Sequence, residues 1–272
     1  MEAYTRSMPL GLQPVERSSL SDAVFEQLAA QILARQVAPG ESLPSERDLV
    51  KLLGVNRGAV REGLKRLAQA GLIEQRHGGS TSVLDFRRTG SLALLGQLLF
   101  DAEGAPDLEV ARSIMEMRAA LAPDIARLAA ERIEPEAIVG LAAIVDDMRS
   151  ILASEREASE QLDALQLCSL EFWDRLVAGS HNIAYRLAFN TLRQTYEQIR
   201  EALILPLAAE LRELDEYGRI VAALRARDGR TARASAERIV NKGSEGVLAG
   251  IELLRELDAR SDQSTTAMGE PT

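Results

Sequence analysis

Residues 43–80 read LPSERDLVKLLGVNRGAVREGLKRLAQAGLIEQRHGGS, and this stretch leaves the chain few choices of fold. Ser45 stands where a helix begins. Its hydroxyl can accept from the orphan N–H groups of the first turn, and Asp48 three residues on completes a capping box. Leu49, Leu52 and Leu53 give that helix an apolar face, and Gly54 supplies the residue type that ends it. Asn56 then caps a further helix, with Val60, Leu64 and Leu67 inward and Gly71 as its stop. Strand-like pieces follow at 72–76 and 80–86, joined by the hairpin tip His77-Gly78-Gly79. An earlier helical pattern starts at Ser21, runs through Val24, Leu28 and Ile32, and stops before Pro39-Gly40.

Helix, tight turn, helix and hairpin is the order of a winged helix-turn-helix. At about 100° per residue, Arg57, Arg61 and Lys65 form a basic stripe to one side of the Val60/Leu64/Leu67 face. One side of the helix can pack while another presents cations, which is where a recognition helix meets a major groove. Arginine can also fork onto guanine O6 and N7. Asn56, Arg57 and Gly58 sit at the helix N-terminus, the end that reaches bases or a phosphate. His77, followed by Gly78-Gly79, can approach a minor groove. A solvated basic face and a plain turn histidine are the alternative readings of these residues taken singly; their common order argues for DNA. Charge agrees. The chain carries a formal −9, yet residues 43–88 hold nine Lys/Arg against five Asp/Glu, a basic patch suited to a polyanion.

The remaining texture is different. Residues 1–18 lack periodicity and contain Pro9, Gly11 and Pro14, so a flexible arm is expected. Residues 87–91, RRTGS with its first arginine, read as a linker between a DNA-binding domain at 19–86 and a helical domain at 92–260. Alanine- and leucine-rich periodicity in that domain predicts about seven helices, at 91–100, 107–132, 135–154, 157–178, 182–205, 207–227 and 231–258. The expected fold class is therefore mostly α, a small α/β winged module plus an all-α bundle. The tail at 261–272 is polar and is expected to be disordered. One cysteine, Cys168, excludes an intramolecular disulfide. The absence of a signal-like segment or of a long apolar run predicts a cytoplasmic protein with no membrane partner.

The stretch at 43–80 resembles the N-terminal domain of GntR-type bacterial regulators, in which PSER, GV-x-R-x-x-(V/L)-R and (R/Q)HG elements recur; the match covers residues 19–86. The resemblance implies contacts from Arg47, Arg57 and Arg61 to operator phosphates or bases, with His77 and Gly78 in the minor groove. Where members often carry Ser or Thr, this chain has Gly58 and Ala59. The helical remainder resembles the ligand-sensing domain of the FadR branch. Many members hold a metal there with an Asp and three His; the matching positions here are Ser169, Trp173, Tyr217 and Ile239, so no metal is expected. His181 reads as a loop or capping residue.

SHNIAYRLAFNTLRQTY, with Asn182, Tyr185, Asn190 and Tyr196 at matching spacing, is similar to the acyl-CoA-responsive fatty-acid regulators of that branch, as is HGGSTSVLDFRRTGSLALLGQLL. This implies a transcription factor, a repressor or an activator, and a single basic module per chain adds the expectation of a homodimer on a palindromic duplex operator. Its effector would be a long-chain acyl-CoA or fatty acid, bound with help from Arg118, these tyrosines and Ser244; a tryptophan of the last helix is Leu248 here. From chemistry alone, Trp173, Tyr185, Tyr196 and Tyr217 beside Arg118 and Arg193 suit an apolar ligand with an anionic head. Core packing is the other reading of each aromatic. A small organic or sugar acid is the alternative effector. No Cys–His pair, Ser–His–Asp order, phosphate loop or HExxH motif is present, so the chain is not expected to be an enzyme and no catalytic residue or cofactor is assigned.

Overall fold

The structure, a computed structural model, describes residues 20–75, 80–100 and 105–267. The arm at 1–18 and the wing tip with His77 and Gly78 lie outside these residues. The chain divides into two compact units, Met1–Ser91 and Leu92–Thr272.

In the first unit α1 (Leu20–Leu33) packs on α3 (Arg57–Gln69), with α2 (Glu46–Leu53) against α3 as well. Val24, Phe25, Leu28 and Ile32 meet Val60, Leu64 and Leu67 in the core. Ser45 caps α2 by accepting from the Asp48 N–H at 3.3 Å, and its hydroxyl donates to the Asp48 carboxylate at 2.5 Å. The box thus closes side chain to side chain. Asn56 caps α3 by accepting from the Ala59 N–H at 2.9 Å. Leu49 is buried, but Leu52, expected on the same face, is 72% exposed. A two-turn helix has too short a stripe to bury three leucines on one neighbour.

β1 (Ile73–Gln75) and β2 (Thr81–Val83) pair antiparallel, with Ile73 opposite Val83 and Gln75 opposite Thr81. They are shorter than the strands predicted at 72–76 and 80–86. β2 also pairs on its other edge with the segment before α2, Leu43 N–H donating to Thr81 O and Val83 N–H to Glu41 O, both at 2.8 Å. The predicted linker holds one helical turn, α4 (Phe86–Thr89), capped by Asp85. Gly71 makes this turn possible. It has φ +76°, and a Cβ there would lie 2.1 Å from the Thr89 carbonyl oxygen, while the Thr89 hydroxyl donates to the Gly71 carbonyl at 2.7 Å.

The second unit is helical among its described residues. A 3-10 turn (Leu92–Leu94) and α5 (Leu95–Leu98) precede α6 (Leu108–Arg132), α7 (Pro135–Leu152), α8 (Ala158–Gly179) and α9 (Ile183–Ile199). α10 (Ala208–Leu211), α11 (Leu214–Arg225) and α12 (Gly229–Ala267) complete it. α12 packs along α6 and α11, α7 along α8, and α9 against α8 and α6. The mostly-α expectation is met, with four differences of extent, the first being that the helix predicted over 91–100 is reduced to the 3-10 turn and the short α5. The helix predicted over 182–205 stops at Ile199 and continues as consecutive turns to Leu207. Pro206 has no N–H to extend a helix and disfavours helical backbone at Leu205. The helix predicted over 207–227 is split at Arg212–Glu213 into α10 and α11. Lastly, α12 is helical through Ala267, into the predicted disordered tail. Between Gly250 and Ala267 no glycine or proline interrupts it, and adding residues to an existing helix costs far less than starting one.

Candidate functional site

On α3 the basic stripe is displayed, and it is not free of partners. Arg57 Nε lies 3.3 Å and Arg61 Nε 3.0 Å from the same Glu46 oxygen at the start of α2, while the two side chains stay 69% and 56% exposed. The hydrogen bond from Arg61 above all, helped by Arg57, holds the Glu46 carboxyl below its usual range. One carboxylate therefore gathers two guanidiniums at the α2–α3 turn and leaves their other N–H groups outward, ready for phosphate or guanine. Lys65, further along, pairs with Glu62 at 2.7 Å. Arg47 is the most exposed of the group, with Asp48 at 3.9 Å. Asn56 spends its carbonyl on the cap, and Gly58 follows it at the exposed end of the helix. Arg66 serves the fold instead, pairing with Asp22 and lying 4.5 Å over the Phe25 ring, so that α3 is fastened to α1.

The helical unit contains a cavity of about 160 Å³ that opens partly to solvent. α6, α8 and α9 form its walls, closed by the 199–211 segment. Most of the surface is aliphatic, with Ile114, Leu121, Ile125, Leu192, Leu203 and Leu207 prominent. Of the predicted ligand residues, Arg118, Trp173, Tyr185, Arg193 and Tyr196 line it, whereas Tyr217 and Ser244 do not. Tyr217 is fully buried, edge-on to Phe172 at 4.9 Å, and shares a 2.9 Å hydrogen bond with Ser169. Burial chiefly raises its pKa, and the nearby Glu210 charge adds to the effect. Ser244 turns its hydroxyl back to the Val240 carbonyl at 2.9 Å, a bond local to its helix.

The charged wall groups and Tyr185 are already engaged. Arg118 meets Glu210 with both of its terminal nitrogens, Nη1 to Oε2 at 2.8 Å and Nη2 to Oε1. Burial opposes the Arg118 charge, but the Glu210 carboxylate outweighs it and the guanidinium pKa is raised. The Tyr185 hydroxyl donates to Asp124 at 2.9 Å, which lifts the phenol pKa and, together with the dominant Arg127 contact, lowers that of Asp124. Tyr196 is pushed up to about 12, by burial first and by Glu210 next. Arg193 is half-exposed between Glu197 at 2.9 Å and Asp174 at 3.5 Å. Glu210 carries no signal in the sequence. In LAAELRELD it looks like a surface helix carboxylate, and no local spacing pairs it with an arginine ninety-two positions away.

A metal does not fit the positions that the resemblance suggests. Ser169 and Tyr217 bond each other, Trp173 offers only an indole N–H, and Ile239 is buried hydrocarbon. Among the described residues no cluster of three His, Cys, Asp or Glu could hold an ion. His181 sits just past the end of α8 in a left-handed conformation (φ 49°), its N–H donating to the Ala178 carbonyl at 3.1 Å, as the capping reading expected.

Residues 20–83 match the model of the gntR family of bacterial regulatory proteins, and residues 113–242 match that of the FCD domain. The transcriptional regulator Mce2R of Mycobacterium tuberculosis is 40% identical over 88% of this chain and 96% of its own. A protein of Serratia proteamaculans named fatty acid metabolism regulator protein is 32% identical over 64% of this chain and 68% of its own. Among solved structures, Lar of Listeria monocytogenes superposes with a TM-score of 0.50 at 15% identity, over 85% of this chain and 98% of that one. That last likeness speaks for the fold alone. These relatives are transcriptional regulators and not enzymes. Among the described residues no helix is long and apolar enough to cross a membrane.

Proposed function

We propose, for a chain that belongs to the gntR family of bacterial regulatory proteins and is a DNA-binding transcriptional regulator, that its effector is a long-chain acyl-CoA or fatty acid. The FCD domain holds the ligand's chain in the cavity of α6, α8 and α9, and binding changes the grip on DNA. The winged module reads a palindromic operator in a homodimer through Arg47, Arg57, Arg61 and Lys65, with Asn56 and Gly58 at the helix start and His77 and Gly78 at the wing. One observation carries the effector reading: a mostly aliphatic cavity whose few charges are paired. A small organic acid would meet no unpaired cation among the described residues of that wall, whereas each methylene buried against it is worth about 0.8 kcal/mol. The name of the Serratia relative points the same way.

Calorimetry on chelator-treated protein with acyl-CoAs of increasing length tests this. Affinity is expected to rise about fourfold per methylene until the cavity is full, with a parallel change in operator gel shift. Heat from a small dicarboxylate or sugar acid, and none from the long-chain series, would establish the organic-acid alternative.

A further inference from the structure

We propose that Glu210 is a selectivity residue of this cavity: by keeping Arg118 engaged it rejects a free carboxylate, so the ligand group held inside is an uncharged hydrogen-bond acceptor such as a thioester or ester carbonyl. This rests on the acyl-chain reading above and narrows it. It also reverses the sequence-based expectation that Arg118 receives an anionic head.

The first support is that the pair is seated by the fold. Glu210 is 1% exposed and puts both oxygens on the Arg118 guanidinium. Its place is cut into α12: a Cβ at Gly243 would lie 1.8 Å from Glu210 Oε2 and 3.0 Å from Arg118 Nη1. One turn on, a Cβ at Gly246 would lie 2.0 Å from the Pro206 carbonyl oxygen. Two missing side chains thus let the 206–210 segment press onto α12 with its carboxylate aimed at Arg118. The wall there is charge-neutral. An incoming carboxylate must either share one guanidinium with Glu210, where like charges repel strongly in a poorly solvated space, or expel Glu210 and leave it buried without a partner. A carbonyl meets neither obstacle.

Hydrogen-bond donors supply the second, independent support. Ser169 and Trp173 line the same cavity. The single bond between Ser169 Oγ and Tyr217 OH uses one proton of the two hydroxyls. The Trp173 indole N–H, on a residue only 7% exposed, approaches the Tyr217 hydroxyl without forming a full hydrogen bond. One hydroxyl proton is left over and the indole N–H is only weakly held, and a carbonyl oxygen accepts up to two hydrogen bonds. Arg193, the other cation on the wall, is half-exposed and matched by Glu197 and Asp174, so it leaves no uncompensated charge for a buried anion.

Calorimetry with laurate, methyl laurate and lauroyl-CoA, on wild type, Glu210→Gln and Trp173→Phe, tests the proposal. Thermal unfolding of each unliganded variant checks that it folds. Wild type is expected to bind the ester and thioester at least about tenfold more tightly than laurate, the scale of one hydrogen bond to a charged group. Glu210→Gln keeps the shape, frees the Arg118 charge and is expected to close that gap by a gain for laurate. Trp173→Phe is expected to weaken the ester severalfold. Equal affinity of laurate and its ester for wild type overturns the proposal and leaves the acyl-chain reading standing, as does a folded Glu210→Gln that gains nothing for laurate. If Glu210→Gln does not fold, the wild-type comparison decides alone. If none of the three ligands binds and a small dicarboxylate does, the acyl-chain reading falls too.

Discussion

Glu46 holds Arg57 and Arg61 by a single oxygen, and that geometry separates two roles for the stripe. The ion pairs are exposed and contribute little to stability, about 0–1 kcal/mol, and they leave both guanidiniums at the surface. Arg57→Ala and Arg61→Ala are expected to weaken operator binding by about 1–3 kcal/mol each if they read guanine, and to lower the salt slope by about one unit if they neutralise phosphate. Glu46→Gln is expected to act oppositely, tightening binding to random duplex and steepening its salt dependence, because two cations lose their internal anion. Fluorescence anisotropy at several salt concentrations, with circular dichroism as the check on folding, reads both effects. Unchanged affinity in all three variants would remove α3 from the DNA interface. At this scale the sequence is legible wherever a residue acts on its own neighbourhood. Asn56 and Ser45 cap as their positions imply, and Val60, Leu64 and Leu67 are buried. Leu52 and Tyr217 depart from expectation, since exposure and burial depend on what lies opposite.

Helix boundaries are legible where a cap or glycine marks them and blurred in the leucine-rich stretch around Pro206, where propensity alone would carry a helix through. Beside the apolar core, an ion-pair cluster also ties α11 to α12. Glu216 on α11 is nearly buried, takes Arg238 of α12 at 2.9 Å on each oxygen and also meets Arg219. The Arg238 hydrogen bond above all, against the opposing effect of burial, holds the Glu216 pKa below its usual value. A carboxyl depressed in the folded state stabilises fully above its unfolded pKa, about 4.3, and loses that contribution as pH falls through the lower folded value. Glu216→Gln is therefore expected to cost about 1–2 kcal/mol at neutral pH, the arginines being half-exposed, and to differ less and less from wild type as the medium is acidified below that range. Denaturant unfolding of both proteins across the acid limb measures it. A gap that persists undiminished at low pH would assign the loss to packing.

For the whole molecule, one winged module covers one half-site, so a chain with a single module is expected to act on DNA as a two-fold pair. Light scattering at micromolar concentration should give twice the chain mass, and two chains should bind per operator duplex; a monomer bound one to one would refute this. Ligand and DNA must also couple reciprocally, so a ligand that loosens the operator complex is itself bound more weakly when operator is present. The sequence by itself determined the parts: a winged helix-turn-helix with a cationic helix, then a helical domain. Caps, glycine stops and 3.6-residue periodicity act within a few residues of one another and can be read along the chain. Only the tertiary structure decided which side chains face the cavity, that Tyr217 and Ser244 stay out of it, and that Arg118 meets Glu210 across ninety-two residues. Those contacts are made by helices distant in sequence, and burial and charge pairing are properties of the packed neighbours, which no local pattern encodes.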